Sequence, residues 1–261
     1  MDPGLRTAAT GMTAQQMRVE VIANNLANVN TTGFKRSRAH FEDLLYQMVE
    51  APSTVGEAAE STEGIQIGRG TRLSAVQRID LQGAIEQTGR PLDMAIDGDG
   101  YFSVTLPDGT QAFTRDGSFT ISDQGVIVTN GGYPLEPGIT IPTEAKELSI
   151  SSTGVVTAVV DNTGEPTEIG RLELVRFANA PGLRAMGENL FAQTVASGEP
   201  TRGFPQEDGF GRLMQGSLEA SNVEVVQEMV DMIAALRAYE VNSKAVKAGE
   251  EMSQMTNALL R

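Results

Sequence analysis

Ala23-Asn24-Asn25-Leu26-Ala27-Asn28-Val29-Asn30-Thr31-Thr32-Gly33-Phe34-Lys35 is the stretch where an apolar heptad near the N-terminus runs into an Asn-rich stop. Upstream of that stop Leu5, Ala8, Met12, Gln15, Val19, Ile22, Leu26 and Val29 alternate in steps of three and four, the spacing of a coiled-coil seam. The pattern predicts a helix over residues 5–29, about 37 Å long at 1.5 Å per residue. Gly11 inside it costs about 1 kcal/mol relative to Ala, so the helix is marginal alone and needs a partner. Asn28, Asn30 and Gly33 tolerate the positive φ of a C-terminal cap. Asn25 and Asn28 read either as capping groups or as hydrogen-bonding groups facing a neighbouring chain.

The same alternation returns at the other end of the chain, in Ala234, Ala238, Val241, Ala245, Ala248, Met252, Met255 and Leu259. Ser221 and Glu224 have the spacing of a capping box, which predicts a helix over 223–260. Its first half carries a broad apolar face of Val226, Met229, Val230, Met232, Ile233 and Leu236, more than one N-terminal helix can cover.

Between the two seams the chain reads differently. Phe41, Leu44, Leu45 and Met48 fall on one helical face and predict a short helix over 38–49, closed by Pro52. Residues 51–64 are polar and acidic and predict an exposed loop, and 65–67 with 73–81 read as the arms of a long hairpin. From Leu92 onward seven short apolar runs alternate with turn signals such as Asp108-Gly109 and Asn130-Gly131-Gly132. Asp-Gly turns of type I′ and a small sandwich or open barrel are expected there. Residues 178–216, rich in Pro and Gly, read as irregular strands leading back to the C-terminal helix. The fold class is therefore α+β: paired long terminal helices in a coiled-coil-like inner domain (1–30 and 220–261), a connecting arm with an extended β-hairpin and acidic loop (31–91 and 185–219), and an all-β outer domain (92–184).

Composition narrows the function. The 261 residues are 40% hydrophobic, enough for one sizeable core or more. A net charge of -14 opposes phosphate binding, so no nucleic-acid partner is expected. There is no cysteine, hence no disulfide, thiolate nucleophile or Cys metal site. The single His40 stands beside a predicted helix, one histidine being too few for a histidine metal site or triad, and Asp97-Gly98-Asp99-Gly100 lacks the ligand spacing of a calcium loop. Neither Gly68-Arg69-Gly70 nor Gly98-Asp99-Gly100 completes a dinucleotide fingerprint. No catalytic residue, cofactor, metal or small-molecule substrate is expected. The N-terminus lacks the apolar core of a secretory signal, and no run is apolar enough for a transmembrane helix.

Residues 23–35 (ANNLANVNTTGFK), 92–102 (LDMAIDGDGYF), 113–119 (FTRDGSF) and 221–260 together resemble the bacterial flagellar axial proteins, the rod and hook family. Within the family the length, residues 66–77 and 81–89 look most like the distal rod members; proximal rod or hook-type subunits are the nearest alternatives. An adhesin-like or peptidoglycan-binding module is the alternative from another class. The resemblance implies a structural subunit that polymerises with copies of itself into a rigid helical shaft transmitting torque. It implies proximal rod proteins and hook protein at the two ends, ring (bushing) proteins around it, and passage through the flagellar export apparatus without a cleaved signal. The implied location is the basal body, spanning the periplasm toward the outer membrane. It also implies stiffening by the insertion at 46–64. Apolar surface left over by one helix pair would then lie between subunits, and the expected contact residues are Leu5, Ala8, Met12, Val19, Ile22, Asn25, Leu26, Asn28, Val29, Met229, Met232, Ile233, Leu236, Val241, Ala245, Met252, Met255 and Leu259.

Overall fold

In the computed structural model residues 3–50, 65–142, 144–145, 147–160 and 166–259 are described, and the chain divides into two compact units. The acidic stretch 51–64 lies outside the described residues. The first unit holds residues 1–27, 37–77 and 224–261, and the second holds 28–36 and 78–223.

The first unit contains helix α1 (Pro3–Ala27), strands β1 (Ser37–Asp43), β2 (Tyr46–Glu50), β3 (Ile65–Gly68) and β4 (Thr71–Arg78), and helix α2 (Val225–Leu259). One N-terminal and one C-terminal helix are present, each within two residues of its expected ends. The capping box does not form as read: Ser221 Oγ accepts from the Val223 N–H at 3.3 Å, and the first helical bond runs from the Glu228 N–H to the Glu224 carbonyl at 3.0 Å.

The helix expected over 38–49 is instead two strands. β2 runs antiparallel to β3 with Gln47 opposite Ile67, and β1 pairs with β4. The Leu44 N–H donates to the Gly70 carbonyl at 2.8 Å across the break between the two pairs. The spacing of Phe41, Leu44, Leu45 and Met48 fits a helical face, but a ladder to the segment 65–78 satisfies the same backbone groups and overrides it. The long hairpin therefore has 37–50 and 65–78 as its arms.

The second unit contains β5 (Ile85–Gln87), β6 (Met94–Asp97), β7 (Phe102–Thr105), β8 (Gln111–Thr114), β9 (Phe119–Ile121), β10 (Ile127–Thr129), β11 (Glu147–Ile150), β12 (Val155–Val159), β13 (Pro166–Arg171), β14 (Leu174–Arg176), β15 (Arg184–Gly187), β16 (Leu190–Ala192), β17 (Thr201–Gly203), β18 (Arg212–Gln215) and β19 (Ser217–Glu219). Among the described residues they form a patchwork of sheets with two to four strands, not the single sandwich or barrel expected. The largest has the order β15-β16-β8-β7 and lies between two cores. Phe102, Ala112 and Leu190 point into a large mixed cluster with Met94, Phe119 and Leu172, while Tyr101, Phe113 and Phe191 point into a smaller, mainly aromatic one with Phe177. Successive strand residues face opposite ways, so neighbours such as Tyr101 and Phe102 serve different cores.

The tight turns also differ from the type I′ expectation. In each of 106–110, 122–126, 129–133 and 151–155 the first residue's N–H donates to the fifth residue's carbonyl, and only the Gly of a three-residue loop has positive φ. Gly109 at φ 79° is typical. Such a loop is a type I turn closed by a left-handed glycine, which needs one positive φ where type I′ needs two.

Candidate functional site: exposed apolar faces and a buried charge cluster

α1 and α2 touch through small and polar residues. A methyl group on Gly249 would come 2.5 Å from Leu5 Cδ2, and one on Gly11 would come 2.9 Å from Asn242 Nδ2. Arg18 pairs with Asp231 at 3.5 Å, and Asn25 Nδ2 donates to Glu228 Oε2 at 3.2 Å. These contacts put 228, 231, 242 and 249 toward α1 together with the fully buried Ala235, so the seam is one position out of phase with the expected 234, 241, 245, 248 and 252; Ala238 is common to both. Small residues permit the close approach, and the apolar stripe is left on the outside.

The expected contact residues therefore divide. Met229, Ile233, Leu236, Val241, Ala245, Met252 and Met255 are exposed on α2, beside Val226 and Val230, with Val226 77% exposed. Met232 is half-buried, and Leu259 closes α2 with its side chain outside the described residues. Leu5, Ala8, Met12, Val19 and Leu26 are half-buried on α1. Asn28 and Val29, also half-buried, belong to the turn after the helix, where the Thr31 N–H and Oγ1 both donate to Asn28.

Ile22 and Asn25 require correction as surface contacts, because both are buried within the chain. Asn25 is 1% exposed. Its Oδ1 accepts from the Ser37 N–H at 2.8 Å, and its Nδ2 donates to the Ser37 carbonyl at 2.9 Å as well as to Glu228. The amide edge thus imitates a strand neighbour for Ser37 and fastens the start of β1 to both helices.

A second apolar surface was not anticipated. Leu45 at 86% exposed, with Tyr46, Met48, Ile65 and Ile67, leaves the two-stranded ribbon β2–β3 without cover among the described residues. The apolar alternation of Ile65 and Ile67 was the available signal, but the helical reading of 38–49 hid its partner strand.

The signature segments 28–35, 92–102 and 113–119 lie inside the second unit, around Glu219. Glu219 Oε1 accepts from Lys35 Nζ at 2.5 Å and from the Gly83 N–H at 2.9 Å, while Oε2 accepts from Arg115 Nε at 2.8 Å. Arg115 also donates to the Gly100 and Gly98 carbonyls, and Lys35 to the Leu81 carbonyl. All three charged side chains are buried, so their charges are met by one another and by backbone carbonyls rather than by bulk water. Burial pushes the Lys35 pKa down, against the pull of Glu219. Gly33, at φ 67°, packs against the Arg115–Asp116 peptide, where a methyl group would lie 2.7 Å from backbone atoms. Thr32 Oγ1 donates to Asp116 Oδ1 at 2.8 Å. Hence Thr32-Gly33-Phe34-Lys35, the glycines of 98–100 and Arg115-Asp116 fold into one knot. Only the charges placed inside apolar segments hinted at it. Among the described residues no group of three or more His, Cys, Asp or Glu gathers as metal ligands would.

Three stretches match known families: residues 5–35 match "Flagella basal body rod protein", 95–158 "Flagellar hook protein FlgE/F/G D1 domain", and 214–259 "Flagellar basal body rod FlgEFG protein C-terminal". Flagellar basal-body rod protein FlgG of Borreliella burgdorferi is 49% identical over 98% of both chains. The chain belongs to the flagellar basal-body rod protein family. FlgG of Caulobacter vibrioides is 48% identical over 98% of both chains, and FlgG of Bacillus subtilis 40% identical over 96% of both. This is a family of structural proteins, not an enzyme class. The rod-family match at 5–35 ends on Lys35, inside the buried charge knot.

Proposed function

We propose that the chain is the structural subunit of the distal flagellar rod, self-assembling into a rigid helical shaft that carries torque from motor to hook. The observation that carries this reading is the exposed apolar face of α2, with Val226, Met229, Val230, Ile233 and Leu236 uncovered over nearly three turns. Contiguous apolar surface of this kind marks an interaction site. Heterologous contacts that do not close generate a helical polymer, which a shaft requires. The terminal helices would serve as a coiled-coil-like inner domain, and half-buried Leu5, Ala8 and Met12 would add to the same contact. Partners in this reading are further copies, proximal rod proteins and hook protein at the two ends, ring proteins around the shaft, and the export apparatus that delivers the chain to the periplasmic side without a cleaved signal.

Purified full-length chain concentrated in physiological salt tests the proposal by negative-stain electron microscopy. Straight rods of uniform diameter are expected, and a monomer at every concentration and salt tried would contradict self-assembly.

A further inference from the structure

Val195 is an apolar side chain 104% exposed at the tip of a turn that is otherwise locked in place. Thr194 N–H donates to Ser197 Oγ at 3.0 Å, Ser197 N–H to Thr194 Oγ1 at 3.2 Å, and Ser197 Oγ to the Thr194 carbonyl at 2.8 Å. Two outside anchors hold the turn: Thr194 Oγ1 donates to the Gly182 carbonyl at 2.6 Å and Asn179 Nδ2 to the Ala196 carbonyl at 2.9 Å. Ser197 is fully buried beneath the tip. A mobile loop would let an exposed valine fold back onto the surface. This one holds Val195, with exposed Ala196 beside it, away from the body at no further ordering cost on binding.

The second unit also has an open depression of about 580 Å³, lined by Leu92, Ile121, Ile141 and Leu148 together with the polar Arg90, Glu147 and Gln215. Ile121, one of the lining residues, is itself 47% exposed. The charges around the two features complement each other. The cavity presents Glu147 and Arg90, the latter paired at 3.8 Å with the buried Asp93, and the turn is flanked by Glu199 and by Arg184 on the strand that pairs with β16. Glu147, Arg184 and Glu199 are all exposed.

We infer that the Val195–Ala196 tip of one subunit inserts into the 92/121/141/148 cavity of a second copy of this chain, with Glu199 meeting Arg90 and Arg184 meeting Glu147. The inference rests on the self-assembly reading and adds a contact between β-rich units to the helix-mediated one. A knob and a socket built from different residues of one molecule can pair heterologously, and such a contact propagates into a filament where its rotation does not close. A valine held rigidly over an apolar pocket is also the kind of anchor that concentrates binding in a few side chains.

Because the chain has no cysteine, two single-cysteine variants isolate the contact: Val195→Cys and Leu148→Cys. Mixed under mild oxidant at assembling concentration, they are expected to give a disulfide-linked heterodimer well above the level of either variant alone. Val195→Asp, at a position with no packing to lose, is expected to keep the monomer's unfolding midpoint and to raise the concentration needed for assembly at least tenfold. Heterodimer no more abundant than either self-product, or Val195→Asp chains assembling as readily as wild type, would overturn the knob and leave the helix-mediated reading standing. A wild-type chain that never assembles would instead strike the underlying reading, and a heterodimer formed even then would still place knob in socket.

Discussion

Lys35 Nζ and Glu219 Oε1 stand 2.5 Å apart across 184 residues of sequence, with their side chains 2% and 1% exposed. Arg115 reaches the other Glu219 oxygen at 2.8 Å, so a single carboxylate holds two buried cations drawn from remote parts of the chain. Glu219→Gln strands both cations away from water. Removing one partner of a buried ion pair costs about 3–5 kcal/mol, whereas Arg72→Ala at the exposed Arg72–Glu42 pair is expected to cost about 0–1 kcal/mol. Urea unfolding of the two variants, followed by near-ultraviolet circular dichroism, measures the contrast.

Asn25→Ala removes three hydrogen bonds, two to the half-buried Ser37 N–H and carbonyl and one to the buried Glu228 carboxylate. A stranded buried polar group costs about 1–3 kcal/mol, so a loss of at least about 2 kcal/mol is expected from this one change. The half-buried Asn28, in the turn after α1, should tolerate Ala at about 1 kcal/mol or less. Hydrogen exchange adds a local readout: the Ser37 amide should lose protection in Asn25→Ala and keep it in Asn28→Ala.

Glu136 supplies a pH dependence. Burial tends to raise its pKa, but donors on Thr105, Gln111 and Ser103 and the charge of Arg202 outweigh burial and hold it below the usual value. A carboxylate with a lowered folded pKa contributes stability that is present above its unfolded pKa and lost as pH falls through the folded one. Wild type should therefore exceed Glu136→Gln in unfolding free energy at about pH 6 and converge on it toward about pH 3. A gap that stays constant with pH would mean that Glu136 acts through packing alone.

Periodicity fixed where the helices lie but not which way α2 turns. The capping-box spacing and the three-four alternation together located α2 within two residues, yet the apolar stripe through Met229, Ile233 and Leu236 faces out while Glu228, Asp231 and Asn242 face α1. Hydrophobicity marks what must be covered without saying by which molecule. Residues 38–49 carry a pattern that fits helix and ribbon alike, and only pairing with 65–78 decides between them. β8 lies between two cores, so Ala112, Phe113 and Thr114 are all buried and the strand carries no polar-apolar alternation. At the candidate site the exposed α2 face was legible as excess apolar surface. The charge knot was not, since Glu219 lies 104 residues from Arg115 and 184 from Lys35. In Ser217-Leu218-Glu219 the polar residues are the buried ones, the reverse of the usual strand rule.

The central claim is that the outward face of α2 exists to bind other subunits. Replacing Val226, Met229, Ile233 and Leu236 together by Gln, all exposed in the single chain, isolates it. Surface substitutions of this kind change stability by about 0.5 kcal/mol or less each, so the monomer should keep its fold. Sedimentation velocity at rising concentration is the direct measurement. Wild type should shift to fast-sedimenting polymers while the fourfold variant stays monomeric with an unchanged circular dichroism spectrum; polymers formed by the variant at the wild-type concentration would contradict the account.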